Sequence, residues 1–196
     1  MSKSKLVNAI AQSNNLSKED TVILEYGLKK TALLLEDMVF TIAIGCLLKI
    51  MALSIVFQFS FMLLRMYGGG YHSETELKCK IHSAIVTVLS LLCIREGVSR
   101  SWWSNCLLIL VSIAVMILAP VEAKNKPLSE KERKINHWKT VFIVVILNII
   151  AVISQICGLD FYYAIGAAIY AVFILMIMGI QRKGKLEIGV KEQRGK

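Results

Sequence analysis

The sequence has 196 residues, of which 56% are hydrophobic and only 19% are charged. Soluble domains carry about a quarter charged residues, so this composition excludes an ordinary soluble protein. The formal net charge is +9. Basic residues beside apolar spans attract anionic lipid headgroups, so the charge does not require a nucleic-acid partner.

Residues 1–30 are polar and mixed in charge, without the short apolar core and small-residue cleavage site of a signal peptide. Apolar residues recur there at helical spacing: Leu6, Val7, Ile10, Val22, Ile23 and Tyr26. The pattern is typical of an amphipathic helix on the membrane surface, and a solvated tail is the alternative. We expect an N-terminal segment 1–30, a membrane domain 31–181 and a basic tail 182–196.

Two apolar runs follow, at residues 31–48 and 50–64. Crossing a hydrocarbon core of about 30 Å takes roughly 20 residues, so the second run is short for a span. The first carries Glu36 and Asp37 near its start, where acids either mark an ion pathway or stay in water at a helix end. Both runs are predicted as transmembrane helices.

The chain then runs from Arg65 to His82 through three consecutive glycines, Gly68, Gly69 and Gly70. Each glycine costs about 1 kcal/mol relative to alanine inside a helix, and glycine suits sharp turns and close backbone contacts. The sequence predicts a bend or re-entrant loop here. Such backbone at membrane depth needs protein or a water-filled cavity around it, which predicts a hydrated pocket.

Cys79 differs from the other four cysteines, which all lie in apolar runs: Cys46, Cys93, Cys106 and Cys157. An odd number of cysteines in these positions argues against a disulfide framework. Lys78 and Lys80 flank Cys79 and favour its thiolate, the nucleophilic form. A nearby histidine would serve as the base of a cysteine peptidase.

The base could be His72 or His82. On one continuous helix His72 would lie about 10.5 Å of axial rise from Cys79, too far for a hydrogen bond. His82 follows Cys79 by three residues, with Cβ atoms roughly 5–6 Å apart on a helix face. Spacing alone favours His82, whereas the glycines suit a loop that folds back and delivers His72.

Two other interpretations of this segment remain. It could be a solvated connection without chemistry. Metal binding by Cys79, His72 and His82 is the second, although the sequence has no HExxH pattern and no second cysteine near enough to complete a tetrahedral site.

Four further apolar runs complete the chain. The run at 81–94 is short, and the others contain no Lys, Arg, Asp or Glu: 102–119, 140–157 and 161–180. We predict an all-α integral membrane protein of about six transmembrane helices, with the glycine-rich loop between helices 2 and 3. No repeat typical of a transporter is visible.

A second informative stretch follows the fourth run and holds both prolines of the chain, Pro120 and Pro127. They predict a rigid, extended connection, and Ser129 with Glu132 predicts a capping box that begins a helix. The stretch is either a structural loop or a loop that completes the site.

The basic residues indicate the topology. All but three of the 23 Lys and Arg residues fall on one side of the six-span arrangement, the exceptions being Lys49, Arg95 and Arg100. Since basic loops stay cytoplasmic, both termini and the segment 65–80 are predicted at the cytoplasmic face.

The sequence resembles the accessory gene regulator B (AgrB) family, membrane endopeptidases of Gram-positive quorum-sensing systems. The family pattern of an arginine, two glycines, a histidine and a cysteine seven positions later falls on Arg65, Gly69, Gly70, His72 and Cys79. A second feature, Pro-Val-Glu followed by Asn-Lys-Pro-Leu, occupies residues 120–122 and 125–128.

The resemblance implies a cysteine peptidase of the bacterial cell membrane that needs no cofactor or metal. It would remove the C-terminal tail of an amphipathic AgrD-like propeptide through an acyl-enzyme on Cys79 and promote closure of a thiolactone or lactone. It also implies His72 as the base, Arg65, Gly69 and Gly70 as supporting residues, and a homodimer. The acid that orients the imidazole stays open among Glu74, Glu76 and Glu122.

Two hypotheses without an enzyme compete with this one. A transporter or export component would use intramembrane acids and broken helices, and the acids here are few and peripheral. A structural membrane partner of a receptor kinase would need neither Cys79 nor His72.

Overall fold

A computed structural model describes Ile10, Ser13 and residues 17–70, 76–97, 102–121 and 129–194. The chain divides into two compact units, Met1–Phe40 and Thr41–Lys196. In the described ranges the elements are α-helices without a strand, which confirms the all-helical class. They are α1 (Lys18–Leu47), α2 (Met51–Gly68), α3 (Glu76–Glu96), α4 (Trp102–Leu118), α5 (Glu130–Ile156) and α6 (Phe161–Arg194).

Three of these helices are long and apolar enough to cross a membrane: Met51–Gly68, Glu130–Ile156 and Phe161–Gln181. A shorter apolar helix covers Ser104–Leu118. About six crossings were expected from the sequence, and this part of the chain supports three by length and composition. The crossings assigned to α1, α3 and α4 stay predictions.

In the first unit, α1 begins after Ser17, whose Oγ accepts a hydrogen bond from the Asp20 backbone N–H at 3.1 Å. A serine hydroxyl that binds a backbone N–H of the first turn is a typical N-cap. Glu36 and Asp37 lie inside the range of α1 rather than at its end.

In the second unit, α6 packs against α2, α3, α4 and α5. Its buried face includes the small residues Ala164, Ala168 and Ala171, which allow neighbouring helices to approach closely. Larger side chains fill the remaining space of this core: Phe57, Phe61, Leu64, Leu91, Val115, Val144, Ile165, Ile169, Leu175 and Met176.

Buried or partly buried polar pairs join some of the helices. The Asn148 amide Nδ2 donates to Ser112 Oγ at 2.9 Å and links α5 to α4. Thr41 Oγ1 donates to Gln58 Oε1 at 2.9 Å and links the end of α1 to α2. Between apolar helices such bonds hold one packing register, because an unpaired polar group in hydrocarbon is costly.

The outward faces of the bundle are apolar. Large hydrophobic side chains are exposed along α4 and α5, among them Leu110, Ile117, Phe142 and Ile156. Free thiols occupy exposed positions at Cys46, Cys93, Cys106 and Cys157. Exposed apolar faces of this kind suit contact with lipid acyl chains and agree with a membrane protein.

Candidate functional site

The predicted site residues fall into three groups. Arg65, Gly69 and Gly70 are described in full. Glu76 and Cys79 belong to the first turn of α3, where the structure describes the backbone. His72, Glu74 and Glu122 lie outside the described residues, so their predicted roles stay predictions.

Helix α2 ends at Gly68, and the next two glycines have positive φ. Gly69 has φ 75° and ψ −144°, and Gly70 has φ 132°. Side chains rarely tolerate this backbone, whereas glycine adopts it without a Cβ penalty. The glycines therefore end the helix and turn the chain before residue 72.

These glycines pair with the proline stretch through two backbone hydrogen bonds. The Val121 N–H donates to the Gly68 carbonyl at 2.9 Å, and the Gly70 N–H donates to the Val121 carbonyl at 3.4 Å. We call Gly68–Gly70 together with Ala119–Val121 the backbone clasp. A Cβ on Gly69 would collide with the Val121 carbonyl oxygen, which explains why this position needs glycine.

Helices α5 and α6 close around the clasp. A Cβ on Gly179 would lie 3.1 Å from Val121 Cγ1 and 3.2 Å from the Gly70 carbonyl carbon, so an alanine there would have to displace the clasp slightly. A Cβ on Gly68 would meet Met176 Cε at 3.3 Å and Thr140 Cγ2 at 3.6 Å. The clasp is thus packed on both sides and is part of the core.

His137 on α5 contacts the clasp, and the sequence did not indicate this contact. Its Nδ1 lies 2.9 Å from the carbonyl oxygen of Ala119, the residue joined to Pro120 by a cis peptide bond. A carbonyl can only accept, so Nδ1 carries the proton. No local motif signals this contact, because the two residues are 18 positions apart.

Arg65 connects the end of α2 to α3. Its Nη1 donates to Ser83 Oγ at 3.4 Å, and its guanidinium carbon lies 5.6 Å from the centre of the Phe61 ring. Ser83 lies four residues after Cys79 on α3. Arg65 therefore helps to fix the helix that carries the predicted nucleophile.

A second cation lies at the same end of the bundle. Lys139 Nζ on α5 is 4.8 Å from the centre of the Tyr67 ring on α2. Cation–π contacts of this length contribute on the order of 0.5–1 kcal/mol at exposed sites. Lys139 therefore links α5 to the end of α2, as Arg65 links α3 to it.

The capping box predicted for Ser129 and Glu132 is confirmed, and it begins α5. His82 lies half-buried on α3, three residues after Cys79 within one continuous helix. The part of the chain that the structure describes contains no group of three His, Cys, Asp or Glu side chains able to hold a metal. The metal alternative needs His72 and the Cys79 side chain, which are outside that part.

The fold and the site define an all-helical protein with candidate membrane-spanning helices and a glycine-rich junction at one end of its bundle. The accessory gene regulator B family matches residues 3–181. The chain therefore belongs to the AgrB family of quorum-sensing systems.

Individual relatives agree with this assignment. A putative AgrB-like protein of Clostridium perfringens (strain SM101 / Type A) is 27% identical over 191 residues, covering 90% of this chain and 86% of the relative. Accessory gene regulator protein B of Staphylococcus intermedius is 26% identical, with 76% and 79% coverage. The protein of the same name from Staphylococcus aureus (strain MW2) is 27% identical, with 72% and 75% coverage. No solved structure gives a significant match.

Proposed function

We propose that the protein is a membrane-embedded cysteine endopeptidase that removes the C-terminal tail of an amphipathic, AgrD-like quorum-sensing propeptide. The observation that carries the proposal is the arginine, glycine, histidine and cysteine spacing of residues 65–79 in a chain of the AgrB family. The roles of Arg65, Gly69 and Gly70 in the described part of the chain support it, because Arg65 joins α2 to α3 and the two glycines form the turn and the clasp.

Cys79 is the proposed nucleophile. It lies in the first turn of α3, where the positive end of the helix dipole favours a thiolate. The Cys79 sulfur attacks the scissile carbonyl carbon, and the peptide C–N bond breaks. His72 takes the thiol proton and gives it to the departing amine, so the tail leaves with a new amino terminus.

The acyl group then remains on Cys79 as a thioester. A thiol or hydroxyl of the propeptide attacks this thioester carbonyl, the bond to Cys79 breaks, and the thiolate returns as the ring closes. Ring closure competes with hydrolysis, so it requires that water be kept from the thioester. An apolar bundle at the membrane provides such an environment. We also propose that the protein is a homodimer and acts on anionic lipid at the cytoplasmic face.

The turn at Gly69 and Gly70 supports His72 as the base. Helical backbone would keep residue 72 far from Cys79 along the axis, and helix α2 ends at Gly68 before that can happen. The left-handed backbone of the two glycines redirects the chain two residues before His72.

The reaction can be followed by intact mass after purified protein in lipid vesicles is mixed with a candidate propeptide. Wild type should cleave the tail and carry a transient adduct with the mass of the retained peptide. Cys79→Ala should give neither product nor adduct, because the sulfur supplies the bond. If Cys79→Ala processed the propeptide normally, the peptidase proposal would be rejected and the transporter hypothesis would be favoured.

Among the candidate acids we propose Glu122 as the group that orients the His72 imidazole. Glu122 directly follows Val121, and His72 follows Gly70 by two residues. Val121 and Gly70 are hydrogen-bonded, so the clasp brings these two parts of the chain together.

Glu122→Gln should lower the cleavage rate about tenfold or more, since a neutral amide supports the imidazolium poorly. Glu74→Gln and Glu76→Gln should stay within about threefold of wild type. Initial rates from the same mass assay compare the three variants, and a larger loss in Glu74→Gln or Glu76→Gln would assign the role to that residue.

A further inference from the structure

The stretch Ala119–Val121 is held at two points. Its first residue is bound through its carbonyl to His137 Nδ1 at 2.9 Å. Its last residue is bound through both backbone groups to Gly68 and Gly70. All three residues of the stretch are buried, with Ala119 6% exposed and Val121 9% exposed. A shift at one end of so short a segment is therefore passed to the other end.

His137 is the side chain that fixes the first point. Helix α4 ends at Leu118, and the Ala119 N–H still bonds the Val115 carbonyl at 3.0 Å, so His137 binds where the chain leaves the helix. Its ring is also in edge contact with Trp138, with centroids 5.9 Å apart. Helix α5 begins at a complete capping box, so its first turn has a defined start.

We infer that His137 is a positioning residue of the peptidase: it holds the Ala119 carbonyl, and through Val121 it sets the backbone of Gly68–Gly70 that leads to His72. The effect on catalysis rests on the proposed function, whereas the contact itself does not. His137 acts through the clasp and touches no reacting atom. Since Nδ1 is engaged by the Ala119 carbonyl, that nitrogen is not available as a general base.

Three variants separate the hydrogen bond from the volume of the side chain. His137→Phe keeps a ring and removes the donor, whereas His137→Asn retains an amide N–H close to the position of Nδ1. Ile135→Ala is the matched control, because Ile135 is 43% exposed on the same helix and lies outside the clasp.

In the cleavage assay, His137→Phe should lower kcat about tenfold, with KM within about twofold of wild type. The variant loses one hydrogen bond to a buried carbonyl, and the base is then misplaced. A misplaced base slows the chemical step, which kcat reports. His137→Asn should recover kcat to within about threefold. Ile135→Ala should equal wild type.

Hydrogen exchange gives a readout independent of activity. The Val121 amide is bonded to the Gly68 carbonyl, and Pro120 has no amide, so a peptide spanning residues 118–123 reports on the clasp. His137→Phe should speed exchange of the Val121 amide about tenfold, and His137→Asn should not. This result is expected whether or not a given propeptide is cleaved.

A double-variant cycle tests whether the effect travels through the clasp. Gly179→Ala disturbs the clasp from α6, whereas a Cβ on Gly166 of the same helix would meet only ordinary contacts at 3.8–3.9 Å. The double variant of His137→Phe and Gly179→Ala should lose less kcat than the two single losses combined. The double variant of His137→Phe and Gly166→Ala should lose as much as its two single losses combined.

The outcomes separate the two proposals. If wild type cleaves the propeptide and His137→Phe has the same kcat and the same Val121 exchange rate, the role of His137 is overturned. The same holds if His137→Asn behaves like His137→Phe, or if the kcat losses of His137→Phe and Gly179→Ala are fully additive. These outcomes leave the peptidase proposal intact. Cleavage that survives in Cys79→Ala would overturn the peptidase. Faster Val121 exchange in His137→Phe would then still support the clasp contact but not its catalytic consequence.

Discussion

Replacing His72 with alanine should reduce propeptide cleavage by at least a hundredfold, whereas replacing His82 with alanine should leave the rate within about threefold. Removing a general base costs typically 10²–10⁴ in rate. We propose His72 as that base from the residue pattern at 65–79, and Gly69 and Gly70, which precede it, have positive φ. His82, although only three residues from Cys79, follows it on the continuous helix α3.

Intact mass measures this prediction, because it reports the cleaved tail and the adduct on Cys79 in one spectrum. His72→Ala should show neither at early times, and His82→Ala should show both. Circular dichroism of the two variants in the same lipid controls for folding. If His82→Ala alone lost activity, spacing along α3 would have been the better guide and the family assignment of the base would be wrong.

Gly69→Ala should abolish measurable cleavage while the helical bundle remains folded. The new Cβ would collide with the Val121 carbonyl oxygen, and alanine at φ 75° and ψ −144° adds about 1–3 kcal/mol of backbone strain. The clasp would have to open, and misplacement of a catalytic group by about 1 Å can cost 10²-fold.

Gly158→Ala is a control for an alanine at positive φ outside the clasp. Gly158 has nearly the same φ, 73°, but nothing lies within 4 Å of an added Cβ. Gly158→Ala should therefore cleave the propeptide at close to the wild-type rate, whereas Gly69→Ala should not. Equal, mild effects of the two substitutions on kcat would mean that the contact with Val121 has no part in the reaction.

The helices were largely predictable from the sequence, because apolar runs and capping residues are local signals. The run at 161–180 begins with α6 at Phe161, and Ser129 with Glu132 marks the start of α5. The length of α2 was underestimated. The apolar run stops at Leu64, whereas the helix continues through Arg65 to Gly68, since a basic side chain can remain helical while its charge reaches polar surroundings.

Long-range contacts could not be predicted in this way. The glycine run indicated a bend, but its partner, Val121, is 52 positions from Gly69 and carries no motif that names the pairing. The same holds for Arg65 with Ser83 and for His137 with Ala119. Each depends on how α2, α3 and α5 pack, which is set by the sum of many apolar contacts rather than by one local pattern.

Helix α6 has a consequence for how the protein is made. It packs against α2, α3, α4 and α5, and its Gly179 lies against the clasp, yet the ribosome makes it after all four of these helices. A nascent chain that has reached only α5 holds the clasp without the helix that packs against Gly70 and Val121. Cys79, the proposed nucleophile, is thus joined to the described helix packing only after α6 has been made and inserted.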